Sequence, residues 1–97
     1  MKYWARLEGH AVVSTNNLPI GAFKKDRRVA SDTVGEADIS TVFLALNHGD
    51  PDGKALWFET MVFGGEHDQW QDRYETWEQA ETGHRRVVAA LREGKSP

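Results

Sequence analysis

Ile39-Ser40-Thr41-Val42-Phe43-Leu44-Ala45-Leu46 and Leu56-Trp57-Phe58-Glu59-Thr60-Met61-Val62-Phe63 are two apolar runs rich in β-branched and aromatic residues. The segment His48-Gly49-Asp50-Pro51-Asp52-Gly53-Lys54 lies between them. The runs read as the arms of a β-hairpin: Pro51 presets φ at a turn position, Gly53 accepts positive φ, and neither is tolerated inside a central strand. Both runs are apolar on both faces, which predicts the middle of a sheet, with one face under a helix and the other partly covered. Glu59 and the end residues Asn47 and His48 are the exceptions.

Working outward, Lys2 to Glu8 alternates, with Tyr3, Ala5 and Leu7 on one side, the period of a half-buried strand. Gly9 interrupts it, Ala11 to Val13 reads as a second short strand, and Ser14-Thr15-Asn16-Asn17 as a turn. Leu18 to Phe23, broken by Pro19 and Gly21, reads as an irregular segment that delivers Ile20 and Phe23 to the core. Lys24-Lys25-Asp26-Arg27-Arg28 is either a solvated turn or a contact patch for a phosphate or an acidic surface, and Val29 to Val34 is a further extended piece.

Beyond Gly64-Gly65, the polar segment Glu66 to Arg73 is expected to be a loop or a short helical turn. Thr76 followed by Gln79 has capping-box spacing, and Trp77, Ala80, His84, Val87, Val88 and Leu91 then form one helical apolar stripe that stops at Gly94. Glu78 and Glu81 lie early in this helix and Arg85, Arg86 and Arg92 late, which complements its macrodipole. The fold class is therefore α+β: a small antiparallel sheet of three to five strands with a central hairpin, packed against one C-terminal helix, in a single domain over residues 1–97.

The chain has no cysteine, which removes disulfides, thiolate metal sites and thiol nucleophiles and suits a reducing cytoplasm. It shows no signal-peptide pattern and no apolar stretch of membrane-spanning length. A net charge of −3 argues against general affinity for nucleic acid. The charge is uneven: residues 1–35 carry six basic and three acidic side chains, residues 36–97 six basic and twelve acidic. That asymmetry is either an ordinary solvated surface or an acidic face for a basic partner.

Glu59 is the most unusual residue, because a carboxylate in an apolar strand must be paired, neutralised or turned to solvent. It is a candidate general base or metal ligand, or else the partner of a basic residue such as Arg73. His48, at a strand end, and His84, on the helical stripe, are the histidines expected to be fixed, whereas His10 and His67 read as exposed. If His48, Glu59 and His84 converged they would form a two-imidazole, one-carboxylate site suited to zinc. The alternative for His84 is a core residue hydrogen-bonded to a carbonyl or a carboxylate. Four tryptophans exceed what one small core encloses, so Trp4, Trp57 and Trp70 are interface candidates, while Trp77 is expected to pack beneath the helix.

Several runs carry a resemblance: Arg28-Val29-Ala30, Thr33-Val34-Gly35, Ser40-Thr41-Val42-Phe43-Leu44 to His48, Phe58-Glu59-Thr60-Met61-Val62-Phe63-Gly64-Gly65, Arg73-Tyr74, Thr76-Trp77 and Gly83-His84. Over residues 28–84 the chain resembles a family of small bacteriophage and prophage proteins with Ser-Thr-Val-Phe-Leu and Phe-Glu-Thr-Met-Val-Phe-Gly-Gly motifs. The resemblance implies a phage or prophage origin and no particular reaction, and His48, Glu59 and His84 fall on its pattern. Asn47 stands where that pattern has Asp, the loop Gly49 to Lys54 lacks a double proline, and the first 26 residues differ from it.

The resulting expectation is a phage-encoded binding protein that inhibits a host antiviral factor, an anti-CRISPR-like role, in the host cytoplasm. Trp70 among Glu66, Asp68, Asp72, Glu75 and Glu78 is the expected binding patch, facing a basic groove on a nucleic-acid-handling defence component. No cofactor, no direct nucleic-acid contact and no membrane is called for, and unprotected edge strands leave a homodimer open. The alternative is a small metal-dependent hydrolase or nucleotide-binding protein using His48, Glu59 and His84.

Overall fold

The computed structural model describes residues 4–16, 27–49 and 53–97. The segment Leu18 to Phe23, most of the basic cluster before Arg28, and Pro51 therefore lie outside the described residues. The elements are β1 (Trp4–Glu8), β2 (Ala11–Thr15), β3 (Arg28–Val34), β4 (Ala37–Phe43), β5 (Phe58–Phe63), β6 (Gln71–Tyr74) and α1 (Trp77–Arg92). β3 to β6 form an antiparallel meander in chain order, with the predicted hairpin at its centre, and β1 and β2 form a separate two-stranded hairpin. The α+β architecture read from the sequence is the one observed.

Alternation sorts the meander into two faces. Ala37, Ile39, Thr41 and Phe43 of β4 and Phe58, Thr60 and Val62 of β5 are buried under α1, while Asp38, Ser40, Val42, Glu59, Met61 and Phe63 point the other way. The helix begins as the capping box predicts. Thr76 accepts a hydrogen bond from the Gln79 backbone N–H at 3.1 Å, and the Gln79 amide oxygen accepts one from the Glu75 N–H at 3.0 Å. Gly94, at φ +71°, ends it.

The core has two apolar clusters. Ala5, Phe43, Ala45, Trp57, Phe58, Tyr74 and Ala80 fill the end nearest β1 and β2, with Leu7, Val12 and Val29 packed around them. Ala37, Ile39, Val62, Val87 and Val88 fill the other end, with Trp70 and Leu91 at the margin. The row between them is polar: Thr41, Thr60 and His84.

Two expectations need correction. The apolar runs extend beyond their ladder, which ends at Phe43 and resumes at Phe58. Ala45, at φ +61°, turns the chain out of the sheet so that its carbonyl accepts from the Ala5 N–H at 2.9 Å and Leu46 bridges Trp4. The segment Glu66 to Arg73 is not wholly a loop, because residues 71–73 belong to β6. A tight turn, with Gln69 at φ +70°, brings the chain back along β5. A strand this polar survives because it is at the edge, with Gln71 exposed and Arg73 paired across the ladder to Glu59.

Gly83 is buried where α1 crosses Tyr74, and a methyl group there would collide with the phenol ring. Gly83→Ala is therefore expected to cost about 1–3 kcal/mol through overpacking. In thermal unfolding this lowers Tm by roughly 4–8 °C per kcal/mol. Tyr74→Leu in the same chain should recover part of the loss, and additive losses would disprove the contact.

Candidate functional site

The residues that α1 and the sheet bring together are Asp32 from β3, His84 from α1, Thr41 from β4 and Thr60 from β5. Asp32 lies opposite Ile39, Thr41 opposite Thr60, so all three strand residues are on the helix-facing side. His84 follows Ala80 by one turn on the buried stripe and reaches down between the two apolar clusters. Its Nε2 is 2.8 Å from the Asp32 Oδ2 and its Nδ1 is 2.7 Å from the Thr41 hydroxyl, which is itself bonded to the Thr60 hydroxyl.

With a neutral imidazole, proton counting sets the directions. A carboxylate only accepts, so the neutral imidazole carries its proton on Nε2 and donates it to Asp32. Nδ1 then accepts from the Thr41 hydroxyl, and the Thr41 oxygen in turn accepts from Thr60. Every polar hydrogen in the chain is used once. The His84 side chain is 3% exposed and Asp32 43%, so the line runs from solvent at the sheet edge into the centre of the core.

Tyr74 lies beyond Thr60. Its hydroxyl is buried without a hydrogen bond of good geometry. Burial pushes the phenol above its ordinary value of 10.0, the neighbouring Thr60 hydroxyl and the Arg86 guanidinium oppose the shift, and the Asp72 carboxylate adds to it.

The order carboxylate, imidazole, hydroxyl is that of a nucleophilic triad. The geometry assigns it another job. Thr41 is fully buried, and its hydroxyl is committed to His84 and Thr60, leaving no path for a carbonyl or phosphoryl group to reach it. What the arrangement does is satisfy buried polar atoms while fixing the rotation of α1 on the sheet.

The sequence candidates separate. Glu59 faces the side of the sheet opposite His84 and pairs with Arg73, whose Nε donates to Glu59 Oε2 at 3.0 Å. His48 is occupied by the Leu46 carbonyl at 2.9 Å. Thus His48, Glu59 and His84 do not converge, and no cluster of three metal-ligating side chains occurs among the described residues. His84 is the carboxylate-bonded core histidine of the alternative reading.

The expected acidic patch also divides. Asp68 caps the turn after β5, accepting from the Gly64 N–H at 2.6 Å, and Glu66 lines a cleft with Leu91 and Gly94 at the C-terminal end of α1. Glu75 and Glu78 are at the other end, about 20 Å away along the helix, and Asp72 lies between the two ends, beside the middle of α1. Asp72 pairs with Arg86 at 3.5 Å and Glu75 with Lys54 at 3.8 Å. Among the tryptophans, Trp57 is buried, Trp70 packs on the Val62 and Val87 cluster, and Trp77 meets Phe58 edge-on and stacks on the exposed His10.

Sequence reasoning found His84 and missed Asp32, Thr41, Thr60 and Tyr74. The available signal was alternation: once one face of β4 and β5 is assigned to the core, Thr41 and Thr60 are the two polar residues on it.

Long-range proton–nitrogen NMR correlations should find the His84 proton on Nε2. Thr41→Val, which strands the imidazole Nδ1 and the Thr60 hydroxyl, should cost about 1–3 kcal/mol in denaturant unfolding. A neutral effect would refute the hydrogen-bond chain. Because the Tyr74 phenol is raised in the folded state, the unfolded chain ionises first. Stability from this group is complete below pH 10 and declines as pH rises through the folded value. Alkaline titration should show a late-ionising tyrosine that disappears in Tyr74→Phe.

No helix among the described residues is long and apolar enough to cross a membrane. Comparison of the chain with protein-family models, with curated proteins and with solved structures finds no match.

Proposed function

We propose that this chain is a binding protein rather than an enzyme, and that it docks a basic protein surface on the acidic rim at the start of α1. The observation that carries the reading is that the hydroxyl of the Asp32, His84 and Thr41 series is closed inside the core, while Glu78 stands exposed between two open clefts. One, of about 390 Å³, runs between β2 and the helix start and is lined by His10, Trp57 and Glu75; the other, of about 430 Å³, is lined by Asp72, Gln79 and Arg86. Carboxylates over an aromatic floor suit lysine or arginine side chains, with complementarity that sets association rate and specificity.

The resemblance to phage and prophage proteins supports a host antiviral component as the partner, in particular one whose basic groove handles nucleic acid, and with it the host cytoplasm as the place of action. In this reading Glu75, Glu78 and Asp72 form the contact, and Glu66, Asp68 and Trp70, at the far end of the helix or packed on the core, lie outside it.

The test is capture from lysate of a defence-bearing bacterial host on the immobilised chain, at low and high salt, with retained proteins identified by mass. One salt-sensitive partner in near-equal amount is expected. The pair Glu75→Lys and Glu78→Lys should abolish retention, while Glu66→Lys and Asp68→Lys should leave it intact. Retention indifferent to the first pair would sink the proposed surface, and no partner at either salt would sink the binding role.

A further inference from the structure

The cleft between β2 and the start of α1 has a fixed floor, apolar walls and a rim of like charge. Trp57 lines it while 6% exposed, and its backbone is held on both sides: the N–H donates to the Tyr74 carbonyl at 2.9 Å and the carbonyl accepts from the Leu44 N–H at 2.7 Å. Glu75 follows Tyr74 directly, so the bond that fixes the floor also fixes where the Glu75 side chain leaves the chain. Val12 and Ala55 supply apolar wall, and His10, stacked on Trp77 at 3.9 Å, closes another side.

The two carboxylates of this cleft are not spent on the fold. Thr76 and Gln79 make the capping hydrogen bonds, and Glu78 is exposed and pairs with no described residue. No lysine or arginine lines the cleft, whereas the neighbouring one contains Arg86, which already takes Asp72 at 3.5 Å. The chain's own nearest cation sits outside the lining, at the rim: the Lys54 Nζ is 3.8 Å from Glu75 Oε1, on a side chain 80% exposed.

We propose that this cleft takes a single arginine side chain of the partner and that Lys54 is the internal cation it displaces. The inference rests on the docking surface proposed above and adds which side chain that surface recognises. A pair as long and exposed as Lys54 with Glu75 contributes little and is given up at small cost. An ammonium is strongly hydrated and needs acceptors around it, yet the floor is an indole and the Thr76 hydroxyl oxygen already accepts from the Gln79 N–H. A guanidinium is weakly hydrated. Its faces pack on apolar and aromatic surface while its planar fork of N–H groups reaches carboxylates at the edge.

The test is an NMR titration of the whole chain at low salt with capped tripeptides carrying a central arginine or a central lysine. The arginine peptide should bind with a Kd of about 1–10 mM, shifting His10, Val12, the Trp57 indole N–H and Glu75, and the lysine peptide about threefold or more weakly. Glu75→Gln should weaken arginine binding about fivefold. Lys54→Ala should strengthen it about two- to fivefold, the size of an exposed ion pair, while Lys95→Ala, which removes the same charge at the other end of α1, should not. Equal affinity for the two peptides, or indifference to both Glu75→Gln and Lys54→Ala, would overturn the arginine site. The docking surface would survive that result if capture from lysate still yielded a partner lost in the Glu75→Lys and Glu78→Lys pair. Arginine binding as described with no captured partner would support the site and sink the docking role.

Discussion

An imidazole held at both nitrogens by different partners leaves the helix that carries it very little freedom. His84 is bonded to Asp32 on one strand and Thr41 on the next, so α1 can neither roll nor slide without breaking a buried hydrogen bond. The apolar clusters on either side supply most of the burial free energy, but they are interchangeable surfaces of Val, Ile and aromatic groups. The polar row between them is not interchangeable. A one-residue slip of β4 would turn Thr41 away from the helix and bring Ser40 and Val42 to the core, leaving His84 unsatisfied. The row thus contributes uniqueness of register more than net stability. Gly83 belongs to the same constraint, since only its missing side chain lets the helix approach Tyr74 closely enough for His84 to reach the sheet.

This division explains what the chain's pattern discloses and what it conceals. The central hairpin is legible because both arms are apolar, and the helix because Thr76, Gln79 and the stripe from Ala80 to Leu91 agree on start, phase and length. The pairing of Glu59 with Arg73 was one of the alternatives the residues themselves allowed. β6 was concealed, because Gln71, Asp72 and Arg73 have no apolar period and are a strand only by virtue of the edge they complete. Asp32 was concealed for a different reason: its partner is 52 positions away, and no local pattern records a contact at that separation. The divided acidic patch is the same lesson in reverse, since Glu66 and Glu78 are neighbours in sequence terms but sit at opposite ends of a helix.

The surface follows from how the polar groups are spent. Thr41, Thr60 and His84 are inside and Asp32 holds His84 from the sheet edge, so the polar row faces solvent only through one carboxylate.

The meander also has a kinetic meaning. Each ladder of the main sheet joins strands adjacent in the chain, so the sheet assembles by closing short loops, which carry a small entropic penalty and favour rapid formation. The hydrogen bonds from His84 to Thr41 and Asp32 span 43 and 52 positions and form only when the helix docks on a completed sheet. Loop-closure entropy therefore favours early closure of the local sheet ladders over the long-range bonds of His84.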